Sequence, residues 1–266
     1  MRAWLILVLF PATAAFAQIG APNYAPAAPQ STFTLGVQSF GPTLTGHLQG
    51  AYDGQPMLVD LNGDLGMGKD KTHTGLFFDY QSQSYALQLS TGSAEYAGNQ
   101  VTPSPVAVNG AVYQGGDLVQ SWAKFSTLDG VFTLKLGGQP DAWIGLDLGL
   151  QSWTLDLQTS DASVVAPLPS SSSVSLKMLV PEVGLSGGSR AYNGAFESKA
   201  YIRYMNARGG KYILLGTDLR MFITRWLGVR AFYESGRLVA PSGSLKDGLE
   251  IGLDRKGAGF GAVLRF

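Results

Sequence analysis

The sequence predicts an all-β protein: an antiparallel transmembrane β-barrel, up-and-down in topology, of roughly ten strands. Three observations carry this. From Ser31 onward apolar and polar residues alternate with period two, and no segment shows helical periodicity. The polar faces mix charges of both signs with glycine, as a barrel lining does. Long and short connections alternate along the chain. In a soluble sandwich the apolar face would be the core and the polar face would meet water. Alternation alone does not separate the two solvents, so the export signal and a C-terminus that is itself a strand favour the membrane.

The elements follow in order. Residues 1–17, MRAWLILVLFPATAAFA, read as a secretory signal peptide, with Arg2, an apolar run too short to span a bilayer, and a small-residue end at Ala15-Phe16-Ala17. Residues 18–30, with Pro22, Pro26 and Pro29, read as an extended linker, and residues 31–266 as the barrel. Strand one is expected over 32–49, with a long loop to Lys71, and strand two ends near Tyr80. A tight turn at 81–84 leads into YALQLSTGSAEYAG, and a long loop leads to a strand over 117–136, bulged at Asp129-Gly130. Strand five is 142–158. Strand six is SVSLKMLV with a turn at 181–184, and strand seven runs to Asn206. Strand eight is 211–223 and strand nine 226–238; a long loop runs to about Lys256, and strand ten is the C-terminal segment. An even number returns both ends to one side; shifting boundaries by a few residues leaves eight or twelve strands as alternatives.

Composition narrows the function. Lys plus Arg and Asp plus Glu are 19 each, and loss of Arg2 with the signal leaves 18 against 19, or −1. That balance excludes a basic nucleic-acid-binding face. Charged residues are only 14%, against about 25% in globular chains. With no cysteine there is no lipoprotein anchor, disulfide, thiolate zinc site or Cys nucleophile. The chain has no nucleotide, haem or flavin motif, and no cofactor is expected.

The stretch VDLNGDLGMGKD, with its Asp64-Leu65-Gly66, follows the first strand. Together with the strand pattern over 31–266 it resembles the small outer-membrane β-barrel proteins of Gram-negative bacteria, in particular a loosely characterised group with an Asp-Leu-Gly loop at this place. The resemblance implies fold and location: an integral outer-membrane barrel with both termini periplasmic, in contact with outer-membrane lipid and lipopolysaccharide.

The inward face is the richest constellation. Parity places Asp79, Asp147, Glu197, Asp218 and Glu234 inside, with Lys135, Lys177, Lys199, Arg203, Arg220, Arg230 and Arg265. In a lumen this narrow, opposite charges must pair, which predicts an ion-pair plug rather than a pore. Tyr80, Tyr85 and Phe266 on one side and Tyr204 and Tyr233 on the other are expected as aromatic belts. Phe260, Leu264 and Phe266 form an outward row ending the chain, which resembles the signal read by the outer-membrane assembly machinery. His47 and His73 fall near the long-loop rim, where outer-membrane hydrolases commonly build a Ser-His or Asp-His pair, but no G-x-S-x-G elbow is present. Asp60-Leu61-Asn62-Gly63-Asp64 has calcium-loop spacing at its start, yet Leu65 and Lys71 stand where Gly and Glu are required. An Asx-rich turn is the better reading. The expected function is therefore a structural or interaction barrel and not an enzyme. A small passive channel and a rim-located lipid-modifying enzyme are the alternatives.

Overall fold

The computed structural model describes residues 31–41, 43–52, 55–67, 73–139, 141–163, 171–207, 210–240 and 250–266. The signal segment 1–17 and the linker 18–30 lie outside the described residues. Every regular element described is a strand: β1 (Thr32–Phe40), β2 (Thr43–Tyr52), β3 (Gln55–Asp60), β4 (His73–Gln81), β5 (Tyr85–Val101), β6 (Val106–Val108), β7 (Ala111–Tyr113), β8 (Leu118–Gln139), β9 (Ala142–Asp161), β10 (Ser171–Ala191), β11 (Phe196–Ala207), β12 (Gly210–Phe222), β13 (Leu227–Ala240) and β14 (Glu250–Arg265).

Ten of these close a barrel. β1, β4, β5 and β8–β14 pair antiparallel in that order, and β14 returns to β1. The last rung joins the chain ends: Phe33 N donates to Phe266 O at 3.0 Å, and Phe266 N donates to Phe33 O at 2.8 Å. Closure leaves no open edge along the membrane-spanning part, where lipid offers no hydrogen bonds. Beyond Phe40 the first strand breaks. β2 continues along β14, but on its other side it pairs with β3 instead of β4.

Several boundary expectations are corrected; the last strand, expected after about Lys256, begins at Glu250 as β14. The predicted turn at 181–184 does not form. β10 runs unbroken through Pro181, and the turn lies at 192–195. Pro181 faces outward next to the last rung of the β10–β11 ladder, Glu182 opposite Met205. A missing N–H is tolerated where a ladder ends, so the proline terminates one pairing without terminating the strand. The bulge expected at Asp129-Gly130 is absent too. Asp129 and Gly130 pair in regular register, and the irregularity falls between Lys135 and Gly137.

Side-chain polarity inverts along the barrel axis. At the short-turn end, Leu134, Ile144, Leu148, Leu185 and Leu264 point out, while Asp79, Asp147 and Arg220 are buried inside. At the long-loop end the inside is apolar, with Tyr96, Phe125, Trp153, Leu157, Val174 and Met205 in one cluster. There the outside carries Glu95, Lys124, Asp156, Lys177, Lys211, Arg237 and Lys256. This corrects Lys177. It is exposed and points outward opposite Thr154, because Val174, Leu176, Met178 and Val180 turn inward to the apolar cluster. The outward apolar run spans Ile213 to Ile223 at β12 and Ala258 to Phe266 at β14. That is the height of about 9–11 tilted residues needed to cross a bilayer core.

Two inserts fill the long-loop end. The β6–β7 hairpin buries Val106, Val108 and Tyr113, whose hydroxyl lies 2.8 Å from Thr159 Oγ1. Burial pushes the Tyr113 phenol above its usual pKa. The turn after β3 buries Leu61, Leu65 and Met67. Its Asp60 Oδ1 accepts from Asn62 N at 2.8 Å and Gly63 N, and Asp64 Oδ2 accepts from Asp60 N at 2.8 Å. It is the Asx turn that the sequence favoured over a calcium loop. Asp64-Leu65-Gly66 divides the work: Asp64 ties the turn, Leu65 fills the core, and Gly66 takes φ +65° against β5.

The inversion fixes where lipid ends. Leu148→Arg, on the outside of β9, is expected to cost about 2–4 kcal/mol of stability in lipid vesicles. Gln120→Arg, on the outside of β8 beyond the charged ring, is expected to cost under about 0.5 kcal/mol. Urea titration followed by tryptophan fluorescence reads both, and equal costs would refute the boundary.

Candidate functional site

Period two puts alternate residues of each strand into one lumen, and the expected ion-pair set meets there apart from Lys177. Near the short-turn end the centre is Arg220 on β12. Its Nη1 reaches Asp79 Oδ2 on β4 at 2.5 Å and Glu197 Oε2 on β11 at 3.6 Å, and its Nη2 reaches Asp218 Oδ2 at 2.9 Å. Arg230 on β13 clamps the same Asp218 through Nε at 3.0 Å and Nη2 at 2.9 Å, and also donates to Gln38 Oε1. The Phe77 ring accompanies both guanidinium groups, its centroid 4.6 Å from Arg220 Cζ and 4.1 Å from Arg230 Cζ. A cation this close to an aromatic ring is more often arginine than lysine. Arg265 joins from β14, with Nη1 2.6 Å from Gly194 O and 3.5 Å from Glu197 Oε1.

Further up, Arg203 on β11 forms a second centre. It meets Asp129 Oδ2 and Asp147 Oδ2 at 3.2 Å each and Glu182 Oε1 at 3.7 Å. Asp147 Oδ1 also accepts from Thr133 and Ser186 hydroxyls at 2.6 Å. Glu234 accepts from Arg255 Nη2 at 2.8 Å and from the Tyr201 hydroxyl at 2.7 Å. Lys199 donates to Gln88 Oε1 at 3.3 Å, and Lys135 donates to Ser82 O at 2.5 Å, its ammonium 5.1 Å from the Trp143 ring. Glycines make room for this crowd. A Cβ on Gly216 would stand 2.2 Å from the Tyr201 ring that holds Glu234.

Asp129, Glu182, Arg190, Arg255 and the aromatic partners were not anticipated. Glu182 and Arg190 share the parity of the buried side of β10, and an unbroken strand through Pro181 would have revealed them. Asp129 was hidden by the assumed bulge, and Arg255 by counting 239–256 as loop. The second centre is also incompletely paired. Glu182 Oε1 and Oε2, Asp129 Oδ1, Gln151 Oε1 and Arg203 Nη2 are buried without a hydrogen bond.

The outward features stand where expected. Phe33, Tyr80, Tyr85 and Phe132 form a chain of rings 4.7–5.8 Å apart at the short-turn end. Tyr204 and Tyr233 are exposed on the outer face nearer the long-loop end. Phe260, Leu264 and Phe266 all point outward. The two histidines are not brought together. In backbone position His73 opens β4 opposite Phe40, while His47 on β2 lies opposite Asp60 of β3, seven residues beyond Phe40, or roughly 20 Å at strand rise.

The two centres should respond differently to loss of charge. Arg203→Met removes the one guanidinium that meets Asp129, Asp147 and Glu182 and is expected to cost roughly 3–5 kcal/mol. Glu182→Gln keeps the shape while removing one of three carboxyls crowded on a single guanidinium, and is expected to leave stability unchanged or raised. The temperature at which the folded band disappears on SDS gels measures both; equal losses would refute the charge argument.

No protein-family model matches the chain, and no curated protein matches it in sequence. Solved structures do. The outer membrane protease OmpT from Escherichia coli is 11% identical, with 92% of this chain and 100% of that chain covered and a TM-score of 0.62. The β domain of the Bordetella autotransporter BrkA is 11% identical over 88% and 99% of the two chains, at a TM-score of 0.42. The outer membrane protein AlkL in lipid bilayers is 14% identical over 93% and 95%, at 0.40. At such identities only the first likeness speaks, and it speaks of fold: this chain is a closed ten-stranded antiparallel barrel of the outer-membrane kind.

Proposed function

We propose that the protein is a non-conducting outer-membrane barrel, structural or interactive in role, whose work is done by the half that stands beyond the bilayer. The observation that carries this is a lumen filled twice. The arginine network occupies the short-turn half, and the apolar cluster with its two inserts occupies the other. Among the described residues, one void beside Asp129 and Gln151 measures about 40 Å³ and another beside Arg190 and Arg220 about 10 Å³. Voids of that size hold a few waters at most, too little room for a solute where they lie. A passive channel would need that room. The two histidines stand at different heights of the wall, so they do not form one site together.

In this reading the short-turn end, with both termini, faces the periplasm, and the charged outer ring meets the headgroup and sugar layer of lipopolysaccharide. The outward row Phe260, Leu264 and Phe266 is what the assembly machinery engages, while Arg265 of the same strand enters the ion-pair network.

Purified protein in planar bilayers is expected to give no reproducible single-channel steps, even with residues 105–114 replaced by a short Gly-Ser link, because the arginine layer remains. Regular conductance from the unaltered protein would overturn the proposal. Deleting Phe266 is expected to lower the amount recovered in outer-membrane fractions; undiminished recovery would count against an assembly role.

A further inference from the structure

We infer that the outer face of the β5–β8–β9–β10 wall, at its long-loop end, is a binding site for a neutral oligosaccharide. The inference rests on the reading above, in which this half of the barrel stands outside the membrane. Register builds the surface. Ala97, Trp122, Gln158 and Ser173 stand side by side across the four strands, and Asn99, Gln120, Ser160 and Ser171 form the next row toward the rim. The strands enclose a shallow groove of about 610 Å³. Trp122 is the sole aromatic side chain among the groove's lining residues.

The chemistry of the lining selects the ligand. An indole face packs against the C–H face of a pyranose, and amide and hydroxyl side chains both donate and accept, as sugar hydroxyls require. A rigid aromatic anchor framed by short adaptable polar groups is also the composition of versatile recognition surfaces. The two rows carry no charged residue. The charges that border them are engaged: Lys124 pairs with Glu95 at 3.8 Å, and Asp156 Oδ1 accepts from Ser175 Oγ at 2.6 Å. An anionic ligand would therefore find no open cation within the groove.

The wall is held from behind. Ser121 Oγ donates to Leu65 O at 2.5 Å, and Thr159 meets the Tyr113 hydroxyl at 2.8 Å. Both belong to the inward faces of the same strands. The inserts thus fix the platform before a ligand arrives, which lowers the ordering cost of binding. The sugars could be those of lipopolysaccharide in the same leaflet or a glycan from outside the cell, and the test separates the two.

The test uses the full barrel in detergent, with calorimetric titration of three probes: an uncharged O-chain oligosaccharide of lipopolysaccharide, a neutral glucan hexasaccharide, and a sulfated oligosaccharide. Binding of either neutral probe at millimolar concentration or below is expected, weakened about tenfold or more by Trp122→Ala. The double variant Gln120→Ala with Gln158→Ala should weaken it too. Trp226→Ala, at the exposed short-turn end, should leave it unchanged, and each variant's fold is confirmed by its heat-modifiable migration. Binding of the O-chain oligosaccharide alone identifies the cell's own lipopolysaccharide as the source, and binding of the glucan identifies an external one. Binding of neither neutral probe, of the sulfated probe alone, or equal binding by the Trp122→Ala protein overturns the inference. Conductance of the same preparation is scored separately: a silent barrel that binds no sugar sinks this site only, and a conducting one sinks the reading it rests on.

Discussion

Each long strand crosses two surroundings, and its apolar side must change faces where the surroundings change. On β9, Ile144 and Leu148 point out while Asp147 points in; further along the same strand, Leu155 and Leu157 point in while Asp156 and Gln158 point out. Nearly everything else depends on this switch. Lipid claims the outward apolar positions of the lower half, so the inward ones are left to polar groups. A ten-stranded lumen is too narrow to hydrate a dozen charges separately, so they pair. Beyond the lipid, water claims the outside, and the inside reverts to an ordinary hydrophobic core.

The junction of the two interiors explains the uneven quality of the ion-pair network. Around Arg220 every acid finds a cation on a neighbouring or facing strand. Arg203 sits higher, where its neighbours are already apolar: Met205 on its own strand, and Trp153 and Tyr212 in the adjoining cluster. Here three carboxyls share one guanidinium, and the atoms left over have no polar wall to turn to. The polar core is weakest where it meets the oily one.

The same switch decides what was legible in the sequence. Strand count, closure and most of the inward charges follow from parity, because in the lower half apolar means outward. The rule fails for Lys177, since VSLKMLV alternates just as cleanly but in the upper half, where apolar means inward. Alternation reports that two faces differ and is silent about which one meets solvent. Pro181 misled for a related reason: proline ends a ladder, but β10 keeps its partner β9 on the other side. The inserts were beyond reach because β6 and β7 are only three residues each and owe their place to the core they fill.

The walls of the barrel are unequal. β8, β9 and β10 run 22, 20 and 21 residues, while β11, β12 and β13 run 12, 13 and 14. The barrel is cut obliquely, like a quill, and the tall side stands above its opposite rim. Its outer face therefore looks sideways, along the plane of the bilayer. What that face meets first is whatever stands beside the protein, and only afterwards whatever arrives from above.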